Sequence, residues 1–193
     1  MAITSLLSKP FQREPVTRKI SSTTSPTGVE RFFEDDEIIV SKTDLKGKIT
    51  YTNRVFLRIA GYDERDLLGA PHSIIRHPDM PRCIFKLLWD TIQAKKEIFA
   101  YVVNMAKGGD HYWVFAHVTP SIDESGNILG YHSSRRVPDR RILDGTIVPL
   151  YKSLLAEEQK HADRKKGLAS SYGMLANLLS EKGMEYDELV FSL

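Results

Sequence analysis

The sequence is poor in cysteine, in long apolar runs and in excess charge. Its single cysteine, Cys83, cannot form an internal disulfide or supply a thiolate metal site by itself. No apolar run approaches the ~20 residues that a membrane-spanning helix needs. The net charge of +2 favours neither nucleic-acid binding nor a strong membrane-surface role. We therefore expect a cytoplasmic protein without membrane insertion or nucleic-acid partners.

Sequence motifs of several enzyme classes are also missing. The chain has no phosphate-cradling GxxxxGK(S/T) loop, no dinucleotide glycine fingerprint, no HExxH pair and no nucleophile elbow. The ~55 residues that follow Arg136 are too few for a histidine-kinase or diguanylate-cyclase module. We therefore predict that the chain is not an enzyme.

Hydrophobic residues make up 41% of the chain, which is enough for the core of one ordinary domain with extensions. Residues 1–30 are rich in Ser, Thr and Pro and show no sustained periodicity. This composition predicts a flexible N-terminal arm. Because the arm is also slightly basic, an organellar transit peptide is the alternative interpretation.

Residues 31–137 carry strand and helix patterns in a definite order. Helix patterns that end at Gly61 and Gly69, a proline-rich stretch and a longer helix separate two early strands from three later ones. The strand patterns lie at Ile38–Val40, Ile49–Thr52, Ile98–Asn104, Tyr112–Pro120 and Ile128–Arg136. This order predicts an α+β domain, a five-stranded antiparallel sheet with helices on one face. A small ligand cavity is expected between the two layers.

Residues 138–193 predict amphipathic helices. Apolar residues at helical spacing form one stripe over 147–155 and another over 168–179, and the second helix ends at Gly183. Such helices must bury their stripes on the sheet, on each other or on a second copy of the chain. We therefore predict that this segment serves dimerisation or partner docking.

The segment from about Asp36 to Arg136 resembles a known sensor family. Three stretches carry the resemblance: ITYTNRVFLRIAGYDERDLLGAPHSIIRHPDMP, then LLWDTI, then KGGDHYWV. An Asn-x-x-Phe motif followed by Gly-Tyr is general to PAS domains. The Arg-His-Pro-Asp-Met-Pro and Gly-Asp-His-Tyr-Trp-Val motifs resemble the PAS domain of bacterial aerotaxis receptors.

The resemblance implies a PAS fold, a non-covalently bound FAD and an output made by conformational change. It implies that the protein senses redox, oxygen or energy state and signals to a chemotaxis protein or another signalling protein. A homodimer through the PAS domain and the C-terminal helices is also expected. The membrane anchor and the methyl-accepting signalling region of those receptors are not found in this sequence, so we expect a stand-alone sensor.

The resemblance also implies the cofactor-binding residues. Trp89, on the longer helix, is expected to contact the flavin ring, where aromatic stacking contributes ~0.5–1.5 kcal/mol beyond burial. Arg76, His77 and Asp79 are expected to support FAD binding, and an arginine offers a forked donor to phosphate or carbonyl oxygens. For Asp79 an N-cap of the longer helix is the structural alternative. Trp89 and His77 have ordinary structural roles as alternatives.

Two asparagines complete the predicted site. Asn53 opens the first helix, where it can cap the helix, and its counterpart in the family lines the pocket. Asn104 and His117, on later strands, are expected to point toward the cavity.

Other ligands remain open at this stage. Light-sensing flavin PAS domains use a cysteine in an Asn-Cys-Arg-Phe-Leu motif, whereas Cys83 lies in Pro-Arg-Cys-Ile-Phe, so adduct photochemistry is not expected. A haem could use His72 or His77 as an axial ligand. A small acid could bind to Arg76, and a PAS adaptor without any cofactor could act by docking alone.

Overall fold

The structure, a computed structural model, describes residues 24–193. Five strands and seven α-helices follow each other in one folded unit, with one 3₁₀ turn over His72–Ile75 and one π-type turn over Leu143–Ile147. The strands are β1 Ile39–Thr43, β2 Ile49–Thr52, β3 Ile98–Met105, β4 His111–Ile122 and β5 Ile128–Arg136. The helices are α1 Arg54–Ala60, α2 Glu64–Leu67, α3 Arg82–Gln93, α4 Arg140–Ile142, α5 Val148–Gln159, α6 Arg164–Lys182 and α7 Tyr186–Ser192.

The five strands form one antiparallel sheet in the order β2-β1-β5-β4-β3. Short turns join β1 to β2, β3 to β4, and β4 to β5, whereas α1, α2 and α3 lie between β2 and β3. The β1–β2 turn is held by the Asp44 carboxylate, which accepts from the amides of Lys46 and Lys48. Gly47 supplies the positive φ that this turn needs. The predicted α+β fold and its five strands are confirmed.

Side chains alternate between the two faces of the sheet, because successive residues of a strand point to opposite sides. Val102 and Asn104 of β3 face the layer of α1 to α3 and line a cavity there. Phe99 and Tyr101 of the same strand lie on the other face, where Phe191 of α7 packs against the Phe99 ring at 4.7 Å. The two faces of the sheet therefore contact different parts of the chain.

The C-terminal helices pack against their own chain. The Tyr151 hydroxyl of α5 donates to the carbonyl oxygen of Tyr101 on the edge strand β3, at 2.6 Å. Tyr151, Leu154 and Leu175 are almost fully buried. Because an unpaired strand edge can pair with other chains, this cover also protects β3. The predicted stripes thus bury their centres on the domain and on each other.

A buried carboxylate fixes these helices to α3. Glu158 of α5 is 5% exposed and accepts from Arg82 Nε at 2.7 Å, from the Cys83 amide at 3.1 Å and from Ser171 Oγ at 3.1 Å. The N-cap residue of α3 is Pro81, which has no side-chain acceptor. Glu158 therefore satisfies a free amide at the start of α3 in its place, where a negative charge is also favoured by the helix dipole.

Some sequence expectations differ from the structure. The interpretation of Asp79 as the N-cap of α3 is wrong, since α3 begins two residues later than that cap requires and Pro81 holds the position. The first strand extends to Thr43, because its pairing with β5 continues beyond the apolar run. Most of the predicted arm, 1–23, lies outside the described residues, and residues 27–31 make backbone hydrogen bonds to 109–111. Among residues 24–193, no helix combines the length and hydropathy needed to cross a bilayer.

Two glycines of α6 offer a matched test of the α5–α6 contact. A Cβ at Gly167 would lie 2.4 Å from the carbonyl oxygen of Glu158, whereas a Cβ at Gly173 meets open space. We expect Gly167→Ala to lower the free energy of unfolding by about 1–3 kcal/mol through overpacking. Gly173→Ala should raise it by up to about 1 kcal/mol, because alanine favours helix. Urea unfolding measures both, and equal stabilisation by the two changes would contradict the packing.

Candidate functional site

A cavity of about 280 Å³ lies between the sheet and the layer formed by the 3₁₀ turn and α3. Strands β1, β3, β4 and β5 form its floor, and the lining residues of β1, β3 and β4 are every second residue, whereas β5 also contributes His132. The lining residues that are also exposed mark where the cavity meets solvent: Lys46, Pro71, Ser73 and Arg76. The cavity is therefore a slot whose mouth is marked by these exposed residues, two of which, Lys46 and Arg76, are cationic.

The walls of the cavity are mostly apolar and aromatic. Trp89, Phe85 and Leu88 enter from α3, and Tyr131 enters from β5. The Trp89 and Tyr131 rings pack edge to face, with centroids 5.3 Å apart. The Trp89 ring also approaches Gly47, where a Cβ would come within 3.1 Å of it. Close packing around Trp89 thus fixes this wall, and such a wall suits a planar ring.

A buried arginine lies at the floor of the cavity. Arg135 of β5 is 3% exposed, and its Nη2 donates to Ser41 Oγ at 2.6 Å and to His72 Nε2 at 2.7 Å. Its guanidinium also lies 5.3 Å from the centre of the Phe56 ring. Its second terminal nitrogen, Nη1, has no hydrogen-bond partner among the described residues. Burial lowers the pKa of Arg135 to about 10, so the group stays cationic at neutral pH.

His72 is held neutral beside this arginine. Desolvation and the charge of Arg135 lower the pKa of His72 to about 3. Its Nε2 accepts from Arg135 and lies 3.2 Å from Ser41 Oγ, so the proton of the neutral ring is on Nδ1. The imidazole therefore serves as an acceptor that holds the guanidinium in place.

The irregular segment before α3 is held at both ends by isolated backbone bridges. Pro71 bridges to Lys48, and Arg76 bridges to Asn104 on β3. The Arg76 guanidinium lies 3.8 Å above the centre of the Phe85 ring at the mouth. Desolvation lowers the pKa of Arg76, but an arginine remains charged. Asn104 is 3% exposed, and its Nδ2 has no partner among the described residues.

Three of the predicted site residues line the cavity together: Arg76, Trp89 and Asn104. Asn53 does not line it. Its Oδ1 accepts from the amides of Phe56 and Val40, so the side chain caps α1 and ties it to β1. The predicted cap is confirmed.

His77 and Asp79 also lie outside the cavity lining. His77 is 5% exposed, its Nδ1 accepts from the Asp79 amide, and its ring lies 5.6 Å from the His111 ring. The Asp79 side chain is 78% exposed. The direction expected for His117 is wrong, because β4 places it on the face opposite the cavity, where its ring stacks on Phe99 at 4.1 Å. Its Nε2 pairs there with Glu97.

Sequence reasoning missed the polar floor of the cavity. Ser41, Tyr131, Ser133 and Arg135 are lining residues that the predicted site did not include. The alternation along β5 could have indicated that 131, 133 and 135 share a face. A serine and an arginine at such positions are typical of a solvent-facing side, however, and this hides their burial.

The geometry gives little support to two alternative ligand chemistries, a cysteine–flavin adduct and a haem. Cys83 is not a lining residue, and burial raises the pKa of its thiol to about 11. For a haem, His72 Nε2 already accepts from Arg135, and His77 is outside the cavity lining. In the part of the chain that the structure describes, no group of three or more His, Cys, Asp or Glu residues could hold a metal ion.

The sheet order, the helical cover and the slot between them define a class of sensor domain. Residues 49–135 match the family described as "PAS fold". In structure the chain is similar to the dark state of the blue-light photoreceptor Aureochrome1 LOV, with a TM-score of 0.50 and 20% identity over 64% of this chain and 99% of that one. The chain therefore contains a PAS domain.

Its sequence relatives indicate which kind of PAS domain this is. The chain is 40% identical over 147 residues to the aerotaxis receptor of Escherichia coli K12, covering 76% of this chain and 28% of the receptor. It is 28% identical over 103 residues to the nitrogen fixation regulatory protein of Klebsiella pneumoniae, covering 53% of this chain and 21% of that protein. The chain thus spans less than a third of the length of these relatives. The predicted resemblance to aerotaxis-receptor PAS domains is confirmed.

The neutral His72 makes the stability of the fold depend on pH. In the unfolded chain His72 regains its usual pKa near 6.5, so between pH 6.5 and about 3 the unfolded state binds one more proton. Stability should therefore fall as the pH falls, by up to about 1.4 kcal/mol per pH unit from this group. His72→Gln keeps an acceptor for Arg135 and should flatten the pH profile. Urea unfolding from pH 7 to 4.5 tests this, and parallel profiles would contradict it.

Proposed function

We propose that this chain is a PAS sensor that holds FAD non-covalently and signals its redox state to a partner by conformational change, without catalysing a reaction. The observation that carries the proposal is the slot itself. It has aromatic walls, and two buried lining residues, Asn104 and Arg135, bear nitrogens without partners among the described residues. A flavin ring has a planar apolar body and acceptor atoms along its edge. The resemblance to aerotaxis receptors gives the proposal its chemical identity.

The residues present fit the flavin part of FAD. A volume of about 280 Å³ suits a ring system rather than a whole dinucleotide. The remainder of FAD would then leave through the mouth, where Lys46 and Arg76 offer positive charge to its phosphates. When bound, FAD supplies two-electron redox chemistry. The residues of this chain bind the ring, orient it and exclude water from it.

The packing offers a route from the slot to the surface. Trp89 and Phe85 line the slot from α3, and Glu158 of α5 satisfies an amide at the start of that same helix. A change in the hydrogen bonds within the slot would bias the position of α3, and with it the contact between α3 and the C-terminal helices. A two-state element biased in this way is sufficient for a signalling output. We propose that the C-terminal helices present the docking surface to a chemotaxis or other signalling partner.

The cofactor is tested by the visible spectrum of the purified full-length protein. We expect the two absorption bands of oxidised flavin in the visible and near-ultraviolet range. Mass spectrometry of the ligand released by heat should identify it as FAD. A Soret band would indicate haem instead. A colourless protein that takes up no added FAD would contradict the proposal and favour a PAS adaptor without a cofactor.

The two tryptophans of the chain provide the matched control. Trp89→Phe should weaken FAD binding by up to about tenfold, because the smaller ring loses part of the buried area and part of an aromatic contact that contributes ~0.5–1.5 kcal/mol. Trp113 packs near Tyr151 on the opposite face of the sheet, so Trp113→Phe should leave the affinity unchanged. Titration of the apoprotein with FAD measures both dissociation constants. A loss of affinity in Trp113→Phe but not in Trp89→Phe would mean that the flavin ring binds on the face of the sheet opposite the slot, which would contradict the proposal.

We also propose that the protein is a cytoplasmic homodimer. Because the C-terminal stripes are largely buried within one chain, the contact would use other apolar side chains, of which Phe32 is 70% exposed and Val29 57% exposed. Light scattering should give the mass of two chains, and Phe32→Ser should shift it toward one. Leu129→Ser, at another exposed apolar side chain, is the control. The mass of one chain for the unchanged protein would contradict the dimer.

A further inference from the structure

Arg135 is a buried cation without an anion. Among residues 24–193, no carboxylate lies within ion-pair distance of it. The groups around it are polar or aromatic side chains: Ser41, His72, Phe56 and Tyr112. None of these groups carries a negative charge at neutral pH, since burial also raises the pKa of the Tyr112 hydroxyl. An uncompensated charge in a protein interior is costly.

The arginine is also held in a fixed position. Its Nη2 is used by Ser41 and His72, whereas Nη1 has no partner and Arg135 lines the cavity. A buried donor that is left unsatisfied costs about as much as a lost hydrogen bond, and more when it is charged. The network around Arg135 therefore places a positive charge in the lining of the slot and leaves one guanidinium nitrogen without a partner among the described residues.

We propose that Arg135 binds an acceptor edge of the ligand in the slot, and that it binds this edge more tightly when the edge carries negative charge. This inference rests on the proposed function and extends it, because it names the residue through which the redox state of the ring changes the energy of the protein. Reduction of a flavin by two electrons and one proton leaves one negative charge on the ring. A cation close to that charge favours the reduced form.

The test compares Arg135→Met with Arg136→Met in the full chain. Both changes remove one arginine from β5, but Arg136 points to the other face and is exposed. We expect Arg135→Met to weaken FAD binding about tenfold or more, since a hydrogen bond to a charged group is lost. Its midpoint potential, measured with dithionite as the electron donor, should shift to a more negative value. Arg136→Met should change neither quantity, and Arg135→Lys should keep the potential close to that of the unchanged protein.

The stability of the ligand-free protein separates this inference from the proposed cofactor. Removing an uncompensated buried charge should raise the unfolding temperature of the ligand-free Arg135→Met chain above that of the unchanged chain. A lower unfolding temperature would make Arg135 a structural group and overturn the inference, whether or not FAD binds. Unchanged FAD affinity and potential in Arg135→Met would also overturn it, while the proposed function would stand. If the unchanged chain binds no FAD, the proposed cofactor is wrong, and the comparison of ligand-free chains still decides whether the charge is compensated.

Discussion

The alternation of side chains across one antiparallel sheet is the constraint on which the rest of the structure depends. The same strands supply the floor of the slot on one face and a surface for α7 on the other. Val102 and Asn104 belong to the first face, and Phe99 belongs to the second. Because successive residues of one strand face opposite sides of the sheet, a displacement of the strand backbone moves side chains on both faces. The sheet thus connects the slot on one face with α7 on the other, and α3 provides a second connection, from the slot to α5 through Glu158.

The sequence predicted the parts of this arrangement that depend on local preferences. Runs rich in strand-forming residues and bounded by turns placed β2 and β5 correctly at both ends, and Gly61 and Gly183 marked the ends of α1 and α6, where both adopt a positive φ. The resemblance to aerotaxis receptors added Arg76 and Trp89, and weak alternation along a strand added Asn104; all three line the slot. These results share a cause, since short segments and recognisable motifs carry their own structural information.

What the sequence did not predict depends on contacts between distant segments. The burial of Arg135 requires β5 to lie in the middle of the sheet, with Ser41 and His72 brought to it from far along the chain. The cap of α3 by Glu158 joins residues 75 positions apart. His117 was assigned to the wrong face, because the weak apolar alternation of β4 gave little indication of which side is covered. Partners that are supplied by tertiary structure leave little trace in a local pattern.

The segment between the two backbone bridges at Pro71 and Arg76 has a further consequence for what kind of information such a domain can report. Because one end is bridged to Lys48, directly before β2, and the other to Asn104 of β3, widening the entrance requires breaking these bridges, so exchange of any molecule in the slot is coupled to local opening of the fold. A molecule that enters and leaves quickly reports its own concentration. A molecule retained for long periods reports its chemical condition instead. The anchored entrance therefore suits a retained molecule whose chemical state changes in place, more than a molecule that exchanges with solvent.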